Sequence, residues 1–299
     1  MTMHSVDIDC SLGYNVLSPA EFVVQIQAAF HPWQKIVKES LEVTGIAPEL
    51  FVDHTGLNRL FRFSASKGPV EVFYRATVEV DMPYRDPNAQ EMSISELPSD
   101  ILHYLLPSRY CESDVIGAMA RRTFGHLPRG FERVEAICDW IKTNIAYEIG
   151  SSQATTTAGD VLKNHAGVCR DFAHLGIALC RALNIPARFV FGHVEFPEPP
   201  PDFHALFEAY LGGQWILFDP TKMAPIDKIV RIGTGVDAKD VAFATLYGAV
   251  QMDYMKPLVR DHVEGQDALF TDCEGFIGSE RAPRGLSDSA TERHYNAAH

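Results

Sequence analysis

The sequence is poor in positive charge and contains no long apolar run. Its 299 residues include 26 Lys and Arg against 39 Asp and Glu, which gives a formal net charge of -13. Nucleic-acid affinity depends largely on clustered Lys and Arg, so we expect no nucleic-acid partner. No stretch approaches the ~18 consecutive apolar residues that a membrane-spanning helix requires, so we expect no membrane partner either.

Paired cysteines and a secretory signal are also missing. The six cysteines are Cys10, Cys111, Cys138, Cys169, Cys180 and Cys273. Their positions show neither paired spacing nor a Cys-x-x-Cys element, which is typical of free thiols in a reducing compartment. The first thirty residues carry Asp7, Asp9 and Glu21 and lack the basic start and apolar stretch of a secretory signal. We therefore predict a cytoplasmic protein.

A metal site is the first alternative to consider for a chain with 12 histidines. No His-x-x-x-His pair occurs in the sequence. Cys169 and His174 are five positions apart on a predicted helix, so their side chains point in different directions. We therefore predict neither a metal nor a cofactor. His193, at the end of a predicted strand, is expected to pack rather than to reach a site.

The apolar pattern changes from strand-like to helix-like near residue 100. Val70 to Val80 alternate between apolar and polar residues, which predicts a half-buried antiparallel strand. Similar alternation before this strand makes the first eighty or so residues β-rich. From Asp81 to Asp100 the chain is polar and loses its periodicity, which indicates a connection between domains.

Beyond this connection the sequence predicts helices first and strands afterwards. Apolar residues at helical spacing predict an amphipathic helix from Phe131 to Ile145, and a second from about Gly167 to Leu183. Strands are predicted at 188–196, 204–210 and 215–219. This order indicates an α+β fold. We predict a β-rich N-terminal domain over residues 1–95, a second domain over 96–265, and a partly disordered tail over 266–299.

Cys169 stands in the first turn of the second predicted helix. The N-terminus of a helix supplies partial positive charge, which stabilises a thiolate. Cys180 lies about three turns later in an apolar stripe of the same helix, so we expect it to be structural. By itself a lone cysteine favours a packing role, and Cys169 becomes a candidate nucleophile only together with a suitable base.

A predicted hairpin downstream places a histidine beside an aspartate. The dipeptide Gly212-Gly213 is a strong signal for a two-residue turn. The register that follows pairs Tyr210 with Trp215 and makes His204 and Asp219 diagonal neighbours on one face. A shift of one residue would send Asp219 to the opposite face.

An aspartate within reach of an imidazole fixes its tautomer and stabilises the imidazolium that forms when the ring takes a thiol proton. Taken singly, His204 is more simply a strand histidine, and Asp219 a turn residue before Pro220. In combination with Cys169 the two favour a thiolate-based catalytic triad for acyl transfer.

Three segments carry a resemblance to a known family: Gly167 to Leu175, His204-Ala205, and Trp215 to Thr221. With the nucleophile, base and carboxylate in this order, the chain resembles the transglutaminase-like superfamily over roughly residues 10 to 265. It is most similar to bacterial transglutaminase-like proteins that are labelled cysteine proteases. In these, a β-rich N-terminal domain precedes a papain-like catalytic core.

The resemblance implies an α+β fold in which an antiparallel β-sandwich-like domain precedes a papain-like, transglutaminase-like catalytic core at 96–265. It implies Cys169 as the nucleophile, His204 as the general base and later acid, and Asp219 as the residue that orients the imidazole. The oxyanion would be held by the backbone N–H of Cys169 and one further donor. Asn164 and Trp140 are the candidates for that donor.

Three functions remain open at this point. A thioester resolved by water gives a protease or amidase acting on a peptide or protein amide, and one resolved by an amine gives a transglutaminase or other amine acyltransferase. We favour the hydrolase, because no calcium-site pattern and no additional substrate domain is visible. The third alternative is a non-catalytic binding protein that keeps the fold, and the complete triad argues against it. The sequence indicates no particular oligomeric state.

Overall fold

The computed structural model describes residues 3–195 and 202–263. The strands are β1 (His4–Val16), β2 (Ala20–Val24), β3 (Gln34–Val43), β4 (Glu49–Val52), β5 (Arg59–Ala65), β6 (Gly68–Val80), β7 (Ala146–Tyr147), β8 (Ala166–Gly167), β9 (Ala187–His193), β10 (His204–Leu211), β11 (Gln214–Phe218), β12 (Val230–Gly235), β13 (Ala244–Tyr247) and β14 (Val250–Asp261). The helices are α1 (Ser113–Phe124), α2 (Phe131–Asn144), α3 (Ala158–Asn164) and α4 (Cys169–Ala182). The fold is therefore mixed α+β, as predicted.

The β-rich part consists of two antiparallel sheets packed face to face. Their strand orders are β14-β1-β6-β3 and β13-β2-β5-β4. The alternation predicted for β6 is confirmed, because its inward residues from Val70 to Val80 are buried. The ring of Tyr14 in β1 meets that of Phe22 in β2 at 5.4 Å between centroids. Such interdigitation of two inner faces is the packing of a β-sandwich.

The end of the described chain returns to this sandwich. β14 pairs with β1 from Val16↔Val250 to Val6↔Asp261, and β13 pairs with β2. Residues 244–261 therefore share sheets with the first eighty residues, although the sequence places them in the second predicted domain. The domain limits 1–95 and 96–265 stay predictions, and the predicted tail at 266–299 lies outside the described residues.

The second part of the fold is a helical layer against another antiparallel sheet, of order β11-β10-β9-β12. Its central helix α4 packs on β9 and β10 and is surrounded by α1, α2 and α3. Gly176 allows the close approach of α4 to the sheet, because a Cβ there would lie 2.5 Å from the ring of Phe207. The predicted order of helices followed by strands is confirmed.

A buried charged network joins the strands of this sheet to the sandwich. Glu208 accepts hydrogen bonds from Arg188 Nε at 2.7 Å and from Arg231 Nη2 at 2.8 Å. The Gln34 side chain of β3 bonds both the N–H and the carbonyl of Arg231, at 2.9 Å each. Burial alone would raise the pKa of Glu208, but the two guanidinium groups outweigh it and lower that pKa to about 2.

Candidate active site

Cys169 is the first residue of α4. The preceding residue Val168 is extended, and its N–H is bound by the carboxylate of Asp171 at 2.9 Å, which caps the helix start. Cys169 is partly exposed, and its sulfur lies 3.8 Å from the carbonyl oxygen of Phe203. The partial positive charge of the helix N-terminus thus lies beside the side chain of a partly exposed cysteine.

The other cysteines of the described chain are in a different environment. They are Cys10, Cys111, Cys138 and Cys180, and all four are buried. Burial raises the pKa of each of these thiols above its ordinary value. They therefore remain protonated at neutral pH, which agrees with the structural role predicted for Cys180.

The hairpin that carries the candidate base has the predicted register. β10 and β11 pair Tyr210 with Trp215, which leaves a two-residue turn. Gly212 and Gly213 form this turn with φ of 58° and 82°, a region that favours glycine. His204 begins β10, and Asp219 follows the last residue of β11 directly.

The hairpin brings His204 and Asp219 into contact. Nε2 of His204 lies 3.0 Å from Oδ2 of Asp219, and both side chains are buried. The other carboxylate oxygen accepts the N–H and the hydroxyl of Thr221 at 2.8 and 2.7 Å. The side chain of Cys169 also acts on the imidazole and, like Asp219, raises its pKa. Because Nε2 faces the carboxylate, Nδ1 is the ring nitrogen left for the sulfur.

Electrostatic interactions within this cluster shift the pKa values of both His204 and Asp219. Burial alone would lower the pKa of His204, but the hydrogen bonds and charges of Asp219 and Cys169 outweigh it and raise that pKa to about 10. Burial would raise the pKa of Asp219, yet His204 and Thr221 hold it below its ordinary value. The histidine is therefore an imidazolium at neutral pH, between a carboxylate and a sulfur.

The structure does not bring the two predicted oxyanion donors to the sulfur. Asn164 is the exposed last residue of α3. The Trp140 ring, in α2, packs edge-on against Phe124 at 6.0 Å. Among the contacts of residues 3–195 and 202–263, none joins either side chain to Cys169. Their role as donors is left as a prediction that no contact supports.

Tyr147 lies beside the start of α4, and the sequence reasoning missed it. The parallel pairing of β7 with β8 sets Tyr147 opposite Gly167. Its ring packs against Phe172 at 5.7 Å. Burial, followed by the charge of Cys169, raises the pKa of its hydroxyl above its ordinary value. The pairing joins two-residue strands about 20 positions apart, which leaves no periodic signal in the sequence.

His193 links the sandwich to the site without reaching the sulfur. Its Nε2 lies 2.8 Å from the carbonyl oxygen of Ile26. Its ring lies 5.4 Å from that of Phe203 and 6.2 Å from that of Tyr74. The packing role predicted for His193 is confirmed, and through Phe203 this packing supports the residue whose carbonyl contacts Cys169.

The described residues contain no group of three His, Cys, Asp or Glu side chains that converge as metal ligands would. The sequence analysis considered His174 together with Cys169 as possible metal ligands. In the structure, Nε2 of His174 accepts a hydrogen bond from the N–H of Ala238 at 3.2 Å. Within the same ranges, no helix is both long and apolar enough to span a membrane.

A surface cavity of about 530 Å³ lies at the opposite end of α4. Its lining includes Arg121, Arg129, Arg133 and Asn184. With a rise of 1.5 Å per residue, the last residue of α4 is ~20 Å from Cys169. The cavity is therefore separate from the cluster around the sulfur.

Known proteins support this interpretation of the fold. The sequence profile described as the Transglutaminase-like superfamily matches residues 117–220, a range that contains Cys169, His204 and Asp219. A solved structure described as "a Putative Cysteine Protease from Cytophaga hutchinsonii" is 38% identical, with a TM-score of 0.83. The match covers 93% of this chain and 95% of that one.

Two curated mycobacterial relatives match over shorter stretches. An uncharacterized protein of Mycobacterium leprae is 29% identical over 188 residues, 57% of this chain and 64% of that protein. An uncharacterized protein of Mycobacterium tuberculosis is 33% identical over 116 residues, 34% of this chain and 37% of that protein. The matches thus span less than two thirds of either relative. From the solved relative and the profile, this chain belongs to the transglutaminase-like superfamily.

Proposed function

We propose that this chain is a cysteine-dependent acyl-transfer enzyme that attacks an amide or peptide carbonyl through Cys169. Membership of the superfamily and the likeness to the Cytophaga protein support a cysteine-dependent enzyme in general. One observation carries the more specific proposal. Nε2 of His204 lies 3.0 Å from Asp219, and Asp219 and Cys169 together raise the pKa of the imidazole.

In the first half-reaction the imidazolium of His204 already holds the proton, and the sulfur of Cys169 attacks the carbonyl carbon of the substrate. A C–S bond forms as the C=O π electrons move to the oxygen, which gives a tetrahedral oxyanion. The oxyanion collapses, the C=O bond is restored and the C–N bond breaks. The leaving amine takes its proton from the imidazolium, and a thioester stays on the sulfur.

In the second half-reaction the deacylating nucleophile attacks the thioester. Its proton passes to His204, a second tetrahedral oxyanion forms and the C–S bond breaks. With water the product is a carboxylic acid, and Cys169 returns with its partner imidazolium. Asp219 stays ionised throughout and stabilises each positively charged state of the ring.

Water is the deacylating nucleophile that we favour, which makes the enzyme a protease or amidase. The name of the Cytophaga relative supports this choice. The substrate would be a peptide or protein amide, with neither nucleic acid nor membrane as a partner. The acidic composition and the unpaired cysteines support these expectations and a cytoplasmic location.

An amine acyltransferase is the second candidate, and one residue favours it. Asp202 lies next to Phe203, whose N–H it binds at 2.7 Å, and its charge acts on both His204 and Tyr147. A carboxylate whose charge reaches these residues of the site would attract an ammonium group. Such a group could belong to an acyl acceptor or to a basic residue of a peptide substrate.

Alkylation tests the nucleophile first. The protein is treated with limiting iodoacetamide at pH 6 to 7, and the modified cysteine is located by peptide mass spectrometry in the wild type and in His204→Ala. We expect Cys169 to react far ahead of buried Cys180 and to slow without His204. If Cys169 is as unreactive as Cys180, the catalytic proposal fails and a binding protein that keeps the fold replaces it.

Product analysis then separates the two reactions. A peptide library is incubated with the enzyme in water, with and without a primary amine such as cadaverine. Free carboxyl products in both samples support the hydrolase. Amine adducts that form in preference to acids at millimolar amine would support the acyltransferase, and Asp202→Asn should then reduce adduct formation more than hydrolysis.

A further inference from the structure

The cavity at the C-terminal end of α4 is lined by arginines. It has a volume of about 530 Å³ and lies between the end of α1, the start of α2 and the end of α4. Its lining includes Arg121, Arg129 and Arg133, and no acidic residue of the described chain lines it. The chain as a whole has a net charge of -13, so this concentration of positive charge is a local feature.

Glu91 holds two of these arginines side by side. Its carboxylate is 3% exposed and accepts hydrogen bonds from Nε of Arg129 at 2.8 Å and from the N–H of Gly130 at 3.0 Å. Nη1 of Arg133 lies 3.4 Å from the same carboxylate. One negative charge thus faces two guanidinium groups. With Arg121, the arginine cluster has three positive charges against one negative charge, an excess of two.

Guanidinium donors of this cluster lack acceptors in the described part of the chain. Arg133 is 6% exposed, and its Nη2 donates to the carbonyl of Leu127 at 2.7 Å, but its buried Nε has no hydrogen-bond partner there. Arg129 donates through Nε alone, so both of its terminal nitrogens remain available. Buried donors normally have a partner. The buried Nε of Arg133 therefore indicates a site for an acceptor that the described residues do not supply.

The helix ends around the cavity are compatible with an anion. The start of α2 carries partial positive charge, and the ends of α1 and α4 carry partial negative charge. At the end of α4, the carbonyl of Cys180 accepts the N–H groups of Leu183 and Ile185, and that of Arg181 accepts the N–H of Asn184. These bonds reduce the partial negative charge that α4 presents, and the full charges of the three arginines outweigh the remainder.

A phosphate group matches this cluster in charge and in shape. A phosphate monoester carries about -1.5 to -2 at pH 7, which equals the excess positive charge. The planar N–H fork of a guanidinium fits the oxygens of phosphate. The volume of the cavity is within the roughly 300–1,000 Å³ of small-molecule sites, and Ala182 and Leu183 add apolar lining. We propose that this cavity binds a small organic phosphate, whose phosphate group is held by the three arginines.

Glycerol 3-phosphate is the probe for this site. It is titrated into the protein by calorimetry at about 0.15 M NaCl, where charges more than ~8 Å apart are screened. We expect saturable binding of one molecule per chain. Glycerol, which lacks the phosphate, should not bind. Succinate, a dicarboxylate of similar charge, should bind more weakly, because no single group of it carries two charges.

Arg121→Gln should raise the dissociation constant of glycerol 3-phosphate by roughly tenfold or more, the scale of one lost hydrogen bond to a charged group. Arg129→Gln, at a side chain that is 65% exposed, should act in the same way. Arg122→Gln is the matched control. Arg122 is the next residue of α1, is exposed and is not among the residues that line the cavity, so the same change of charge should leave the dissociation constant unchanged.

Heats that do not saturate at millimolar glycerol 3-phosphate would overturn the inference. Equal weakening in Arg121→Gln and Arg122→Gln would also overturn it, because binding would then follow the general surface charge. Succinate bound as tightly as glycerol 3-phosphate would contradict a phosphate site.

Cys169→Ala separates this inference from the proposed acyl-transfer function. The variant should bind glycerol 3-phosphate as the wild type does, because the cavity lies at the opposite end of α4. Loss of binding in Cys169→Ala would place the phosphate at the sulfur and would overturn the inference. Failure of the binding test leaves the proposed function intact, since none of the three arginines takes part in the proposed reaction.

Discussion

Nε2 of His204 lies 3.0 Å from Oδ2 of Asp219, although the two residues are 15 positions apart in the chain. A two-residue hairpin turn brings them together, and Thr221 holds the carboxylate through its other oxygen. The imidazole thereby has a fixed orientation and a raised pKa before any substrate enters. This relationship is the structural basis of the predictions below.

Asp219→Asn should reduce acylation of Cys169 without unfolding the protein. The amide has the shape of the carboxylate but cannot stabilise the imidazolium, and it can hold the wrong tautomer of His204. Loss of the equivalent carboxylate in a serine protease costs on the order of 10⁴-fold, and we expect roughly 10²-fold to 10⁴-fold here. The rate at which p-nitrophenolate is released from p-nitrophenyl acetate measures this reduction in acylation. Cys169→Ala should abolish the release of p-nitrophenolate. An Asp219→Asn protein as active as wild type would contradict the role of the carboxylate.

The folding stability should depend on the proton of His204. The pKa of this residue is about 10 in the folded protein and ~6.5 in an unfolded chain. The folded state therefore binds more protons between these values, so this contribution is complete below pH ~6.5 and is lost as the pH rises through about 10. Urea unfolding at several pH values, in wild type and His204→Gln, measures it. The same pH slope in both proteins would contradict the raised pKa.

Glu208→Gln should destabilise the fold strongly, because it leaves Arg188 and Arg231 buried without their carboxylate. Removal of one partner from a buried ion pair costs about 3–5 kcal/mol in free energy of unfolding. The pKa of Glu208 is lowered to about 2, so its contribution is present above its unfolded pKa of ~4.3 and is lost as the pH falls toward 2.

The exposed pair of Glu49 with Arg62 is the control for this prediction. These side chains are 62% and 60% exposed, so their interaction is screened by water. Glu49→Gln should leave the urea midpoint unchanged. A loss in Glu208→Gln no larger than that of the control would show that the buried network is dispensable.

Substitution of Cys180 and Cys169 should have opposite effects. Cys180 is fully buried on α4, so Cys180→Ala should lower the free energy of unfolding by about 1 to 2 kcal/mol and leave the acylation rate unchanged. Cys169 is partly exposed, and Cys169→Ala should remove acylation at little cost in stability. Unfolding curves of both variants measure the free energy of unfolding, and the release of p-nitrophenolate measures acylation. A Cys169→Ala protein that fails to fold would mean that a core residue had been taken for a site.

The hairpin and the nucleophile could be predicted because each has a local signal. Gly212 and Gly213 specify the turn, and the period of two in the flanking strands then determines which residues face Asp219. A glycine before a helical apolar stripe indicates where α4 begins, and so places Cys169 at its N-terminus.

The features that sequence reasoning missed depend on long-range pairing. Tyr147 lies beside the segment that starts α4 through a parallel contact of two-residue strands, too short for a periodic pattern. The return of β13 and β14 to the sandwich joins segments more than 200 positions apart. Asn164 and Trp140 were chosen by their position in the sequence, and no contact of the described residues joins either side chain to Cys169.

The acyl-enzyme itself tests the central claim most directly. The protein is mixed with p-nitrophenyl acetate, quenched in acid within the first turnover, digested and analysed by mass spectrometry. The account predicts an acetyl group on Cys169, its loss on longer incubation in water, and its near absence in His204→Ala. An unmodified Cys169 beside acetylated lysines or other cysteines would contradict a thioester mechanism at this site.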